Sequence, residues 1–182
     1  MKNVVLARGQ LFVVPLLGGG FAYGCVTRPH DKKFPSTLVA VYDIWTEAEA
    51  VPENLESRSI VMNDLLAGAC FDTELPVSIG GRMRPVAGTR WRVIPGRLAS
   101  VVPPVAQRYY RMGGPPRSYT RFDILGDEGV TPVTPEEAAK LPIWEDEWPG
   151  ETTARIEVAV KRLATTPDEI VEAWVQRESK RR

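Results

Sequence analysis

Histidine and cysteine are almost missing from this chain: one His and two Cys in 182 residues. That scarcity removes most of the side chains from which nucleophile–base pairs and zinc sites are built. No Cys-x-x-Cys pair occurs, and Cys25 and Cys70 are read as two buried free thiols of a reducing compartment, not as a disulfide. Long apolar runs are also lacking; none approaches the ~20 residues that cross a bilayer. Arg8 interrupts the start before a signal-peptide core can form, so the expected location is cytoplasmic, with no membrane partner. What the chain has in quantity is proline and glycine, 16 and 15 residues, which favour many short elements over long helices.

Net charge is zero, but the charges are sorted along the chain. Residues 82–121 hold nine arginines with neither lysine nor acid, whereas residues 122–151 hold nine acids against the single Lys140. The flanking segments are nearly balanced, −3 over residues 1–81 and +2 over residues 152–182. Such segregation points to working surfaces of opposite sign.

The apolar pattern is that of strands first and helices last. Val4–Leu6, Leu11–Val14, Phe21–Val26, Thr37–Ile44, Ile60–Met62, Leu75–Ile79, Trp91–Ile94, Arg108–Met112 and Ser118–Leu125 read as strands separated by Gly/Pro punctuation. Both parities of Leu11–Val14 are apolar, which predicts a strand covered on both faces. Gly18-Gly19-Gly20 reads as a hairpin turn, and the following strand places Phe21, Tyr23 and Cys25 opposite the smaller Ala22, Gly24 and Val26. Residues 46–57 are acidic and aperiodic, hence an irregular crossing. From residue 130 the grammar changes. Thr134-Pro135-Glu136-Glu137 and Thr166-Pro167-Asp168-Glu169 are capping boxes with proline at the first helical position. Ile170, Val171, Trp174 and Val175 share one face of the second helix. Between them Ile156, Val160 and Leu163 fit a helix, and Ile156, Val158 and Val160 a strand; the helix is preferred. The expected fold is mainly β (α+β), a small twisted sheet or an SH3-like partly open barrel with a C-terminal helical tail. Residues 1–126 form its β-rich body, and residues 127–182 an acidic connector and helical tail packed on it. The body is expected to fold without residues 152–182.

Chemistry is hard to find. His30 beside Asp31 lies in a proline-containing loop and lacks an activated nucleophile; a surface histidine is the better reading. The glycine run is not followed by Lys-Ser/Thr, so it is no phosphate loop. Ser78 lacks the glycine two positions earlier that a nucleophile elbow needs. No metal, cofactor or catalytic residue is expected, and the chain is read as a non-enzyme. Two segments hold the candidate binding residues. Arg82, Arg84, Arg90 and Arg92 would share a face of any continuous strand, and Arg108, Tyr109, Tyr110, Arg111, Arg117, Tyr119 and Arg121 mix guanidinium with aromatic rings. The set Arg108, Tyr110, Arg111, Arg117, Tyr119 and Arg121 could hold phosphates and stack bases, or pair with the chain's own acids. Trp144-Glu145-Asp146-Glu147-Trp148 sets two indoles around three acids, as packing residues with solvated charges or as a docking strip for a basic protein.

Gly9-Gln10-Leu11-Phe12-Val13-Val14-Pro15-Leu16 followed by Gly20-Phe21-Ala22-Tyr23-Gly24-Cys25-Val26 resembles the opening strands of the immunity protein 26 family. Val39–Ile44 and Trp91–Gly96 resemble its later strands, so the likeness spans about residues 9–96. It implies a mostly β bacterial protein that binds and neutralises a polymorphic toxin, often a nuclease, without catalytic residues. Because nucleases are basic, it directs attention to the acidic Trp144–Trp148 strip as partner surface. The reading from another class is a small β-barrel nucleic-acid-binding or regulatory protein that uses the Arg/Tyr segment.

Overall fold

A computed structural model describes residues 6–30, 36–79, 81–105, 108–112, 119–123, 128, 130–141 and 148–181. In chain order the first strands are β1 (Gln10–Pro15), β2 (Phe21–Arg28), β3 (Leu38–Thr46) and β4 (Ile60–Leu66). A one-turn helix α1 (Gly68–Asp72) leads into the hairpin strands β5 (Pro76–Ile79) and β6 (Arg82–Pro85), then β7 (Arg92–Leu98). Strands β8 (Tyr109–Met112), β9 (Thr120–Asp123) and β10 (Val130–Pro132) precede the helices α2 (Pro135–Ala138), α3 (Pro149–Lys161) and α4 (Pro167–Lys180).

The main sheet has five strands in the order β4-β3-β2-β1-β7, all pairs antiparallel. Strands β8–β10 make a second, three-stranded sheet and β5–β6 a lone hairpin. The fold is therefore mostly β with a C-terminal helical pair, and the sheets do not close into a barrel; of the two expected forms, the open sheet is the one found. β10 lies past residue 126, where the sequence pattern ends the β body, because Phe122, Arg121 and Thr120 of β9 pair with Val130, Thr131 and Pro132 and draw them into the ladder.

β1 has the two covered faces that its sequence predicts. Phe12 and Val14 enter one buried cluster and Leu11 and Val13 another. β2 continues the division, with Ala22 and Val26 on the first side and Tyr23 and Cys25 on the second. Gly24 has a reason: a Cβ there would stand 2.4 Å from the Phe12 ring and 2.4 Å from the Ala40 carbonyl. The turn between the strands closes through Gly19 N–H to Leu16 C=O and Leu16 N–H to Gly20 C=O, both 3.0 Å, with Gly19 and Gly20 at φ of +99° and +86°. Only glycine takes such angles without strain.

On the first face an aromatic trio organises the core. Phe12 and Trp91 stack at 5.4 Å, and Phe71 stands edge-on to both. α3 lies over this face and inserts Ile156 and Val160, while Thr153 accepts the Trp91 indole N–H at 3.0 Å. Helix is thus the state of residues 152–161, because Thr153, Ile156, Glu157 and Val160 form one buried stripe at three- and four-residue spacing. Both capping boxes form as the sequence predicts, at Thr134 with Glu137 and at Thr166 with Glu169. α4 packs Trp174 with Leu17, Leu75 and Val77. The expectation that the tail rests on the outside of a complete body does not describe α3, whose side chains belong to the cluster of the main sheet.

The second face is covered by the aperiodic crossing after β3, which holds one 3-10 turn, Leu55–Ser57, and plugs Leu55 into the cluster. Tyr23 ties it down, its hydroxyl 2.8 Å from the Thr46 hydroxyl and donating to the Ala50 carbonyl at 2.9 Å. At the sheet's rim β1 and β7 lose register: Gln10 pairs with Leu98 but Phe12 with Val93. The extra residues of β7 bow out around Pro95 and Gly96, the latter at φ +69°, and the Gln10 side-chain amide bridges the Ile94 and Arg97 carbonyls at 2.9 and 3.1 Å.

Both cysteines are free and buried. Burial pushes the Cys25 thiol up, and its polar neighbour Tyr42, short of a proper hydrogen bond, is itself driven well above the ordinary phenol range by burial. A thiol reagent is therefore expected to find two free thiols in denatured, unreduced protein and to react slowly with the native fold. A count of zero would mean a disulfide that this packing does not make.

Candidate functional site

The strands β8 and β9 pair Tyr109 with Asp123, Tyr110 with Phe122 and Arg111 with Arg121. Alternation then sorts the expected nucleic-acid residues onto two faces. Tyr110 turns inward, packing with Phe122 and Leu38 at 7% exposure, so it is a core residue and not a stacking platform. Tyr109, Arg111 and Arg121 share the other face with Asp123.

Two of the three arginines on that face are paired from within, and Arg111 is not paired with an acid among the described residues. Arg108 makes a two-pronged bond to Asp123, Nε and Nη2 each 3.0 Å from a carboxylate oxygen, and the Glu128 backbone N–H adds a third bond to the same group at 2.9 Å. Asp123 is 1% exposed, and its hydrogen bonds hold the Arg108 guanidinium protonated above its already high range. Glu128 accepts from Arg121 and from the Tyr109 hydroxyl, both at 2.8 Å, and this hydrogen bond raises the Tyr109 phenol. The Tyr109 ring also lies under both guanidinium groups, 5.1 Å from Arg108 and 4.6 Å from Arg121. Arg111 stands over Tyr119 at 5.8 Å. Arg117 lies outside the described residues. The structure thus brings Arg108, Arg121 and Tyr109 together, but around two carboxylates that compete with a phosphate for the two guanidinium groups.

The four arginines of the earlier stretch do not share a strand. Arg82 and Arg84 lie on β6, Arg90 in the turn after it, and Arg92 on β7 of the main sheet. Arg92 is bonded to Glu49 at 2.6 Å. The side chains of Arg82, Arg84 and Arg90 have no ion-pair partner among the described residues; all three are exposed, and Arg82 and Arg84 flank Met83, itself 66% exposed. The β6 hairpin and the turn after it thus form a basic surface with no acidic partner among the described residues. That the later arginines could pair with the chain's own acids is one reading of the sequence; which acids, Asp123 on β9 and Glu128 between β9 and β10, cannot be read from one-dimensional charge.

No family model, curated protein or solved structure matches the chain.

Of the acidic strip, Trp144, Glu145, Asp146 and Glu147 lie outside the described residues. Trp148 caps the start of α3, half-buried, with its ring so close over Gly150 that a Cβ there would stand 1.9 Å from it. The same indole packs against the cluster of Trp174, Leu75 and Val77. Trp148 is thus a packing residue that fixes the end of the strip to the body. His30 is exposed and Ser78 lies on the exposed side of β5. Among the described residues no three His, Cys, Asp or Glu side chains gather to hold a metal ion, and no helix is long and apolar enough to cross a membrane.

The i,i+4 spacing of Glu157 and Lys161 is legible in the sequence, but the burial of the pair and its bond to a turn 139 residues away are not. Glu157 of α3, 2% exposed, accepts the Gly18 N–H at 2.9 Å and the Lys161 ammonium at 2.8 Å. Lys161 in turn reaches the Gly19 carbonyl at 2.8 Å and lies over the Trp45 ring at 4.9 Å. The β1–β2 turn is locked to α3 by these groups.

Proposed function

We propose that this protein works by binding another protein, as an immunity-type factor that neutralises a bacterial toxin, most naturally a basic nuclease. The observation that carries this reading is the internal pairing of Arg108 and Arg121 on the Arg/Tyr face. With Arg108 and Arg121 bonded to Asp123 and Glu128, a phosphate would have to compete with two fixed carboxylates there, which weakens the nucleic-acid alternative at the residues expected to serve it. The acids at 145–147 are joined directly to Trp148, which is anchored on the α4 cluster, so an acidic docking strip would start from a fixed point. The mostly β fold and the resemblance of residues 9–96 to immunity protein 26 sequences support the same reading. The nucleic-acid reading keeps one supporting feature, the uncompensated Arg82, Arg84 and Arg90.

Co-expression with a toxin gene found beside this one should restore growth. Replacing Glu145, Asp146 and Glu147 together by serine should slow association with that toxin at low salt and leave the melting temperature nearly unchanged, since rim charges act chiefly on encounter. If the triple variant associates at the parent rate at every ionic strength while Arg82→Ser/Arg84→Ser loses binding, the working surface is the basic hairpin.

A further inference from the structure

We propose that the cleft between the β1–β2 turn, the Val86–Thr89 segment and the end of α4 is a binding site for a small organic anion, a carboxylate on a short apolar stem. This is independent of the partner assigned above. The cleft has a volume of about 380 Å³, within the range of small-molecule sites. Its lining divides by chemistry. Leu16, Leu17 and Trp174, nearly fully buried as residues, supply apolar wall, and Val86 continues it.

Its rim is cationic. Arg177 and Arg181 both line the cleft, and both are bonded to one carboxylate oxygen of Glu178, at 3.3 and 3.0 Å. Glu178 is only 12% exposed, so it acts as a fixed strut between the two guanidinium groups. Arg177 is further held by the Leu17 carbonyl. These bonds engage Nε and one Nη2 proton of Arg177 and one Nη1 proton of Arg181. A guanidinium carries five N–H donors, so most of those of Arg181, and the Nη1 pair of Arg177, remain for a ligand. Two cations to one anion leave a positive rim. Lys180, in the same last turn, offsets the partial negative charge of the helix end.

Small residues keep the cleft open. Gly19 and Gly88 line it at positive φ, and no heavy atom lies within 4 Å of the point where either would carry a Cβ. A planar fork of paired arginine donors beside an apolar wall suits a carboxylate with a hydrocarbon stem better than a cation or a bare phosphate.

Calorimetric titration of the full chain with hexanoate, hexanol, hexylamine and inorganic phosphate tests this. Hexanoate should bind, and hexanol and hexylamine should not. Arg181→Gln should weaken hexanoate about tenfold, as loss of a charge-assisted pair does. Ala87→Phe, at the mouth of the cleft, should abolish binding without lowering the melting temperature. No hexanoate binding, equal binding of hexanol, equal binding of phosphate, or hexanoate affinity unchanged in Arg181→Gln would each overturn the assignment.

Discussion

A chain ending at Glu151 is expected to show no cooperative melt. Truncation there removes Ile156 and Val160 from the cluster that contains Phe12, Val14 and Trp91, and removes Trp174 from its contacts with Leu17, Leu75 and Val77. Fully burying a Val or Ile side chain is worth about 1.5–3 kcal/mol, and Trp buries ~150–250 Å² at about 25 cal/mol per Å². Together these approach the 5–15 kcal/mol by which a domain of this kind is stable at all. The truncation also strands the Trp91 indole N–H, whose partner is Thr153, and the Gly18 N–H, whose partner is Glu157. Calorimetry on the purified fragment checks this. A sharp transition within a few degrees of the parent would show that the sheet completes its own core, as the sequence pattern suggests.

Glu157→Ala is expected to cost about 3–5 kcal/mol, the usual penalty for leaving one partner of a buried ion pair behind. Lys161 would remain at 13% side-chain exposure with its carboxylate gone, and the Gly18 N–H would lose its acceptor. Glu157→Gln should be milder, because an amide oxygen can still accept from Gly18. Replacing both members, Glu157→Leu with Lys161→Met, should recover part of the loss, since a well-packed apolar pair avoids the desolvation of two charges. Urea denaturation at constant slope measures all three. A loss under 1 kcal/mol for Glu157→Ala would show that water readily reaches Lys161.

The elements that could be read in the sequence are those whose causes are local. β1 and β2 announce themselves through alternation and through Pro15 and the glycine run, and Thr134 and Thr166 start helices through contacts three residues away. The inward turn of Tyr110 was also within reach, since β8 alternates and its neighbours Tyr109 and Arg111 must face the other way. What was hidden depends on partners distant in sequence. Gly18 meets Glu157 across 139 residues, and Trp91 meets Thr153 across 62. The charge blocks leave two readings of the later arginines open, phosphate binding or pairing with the chain's own acids; folding gives Arg108 and Arg121 to carboxylates of the acidic block, and leaves Arg82, Arg84 and Arg90 without an ion-pair partner among the described residues. Of the candidate site, the residue types were legible and their pairing was not.

The bowed stretch of β7 bears on how this molecule behaves in crowded solution. β7 is a border strand, and a straight border with free N–H and C=O groups invites a second chain to add itself, the first step toward fibrils. Here Pro95 offers no N–H, Gly96 turns the chain out of line, and Gln10 spends its amide on the two carbonyls at the shoulders of the bow. A visiting strand that began to zip along Arg92 and Val93 would lose step within two residues. The same irregularity that spoils the pairing of β1 with β7 therefore protects this border of a sheet rich in Val, Leu and Phe from taking on a sixth strand.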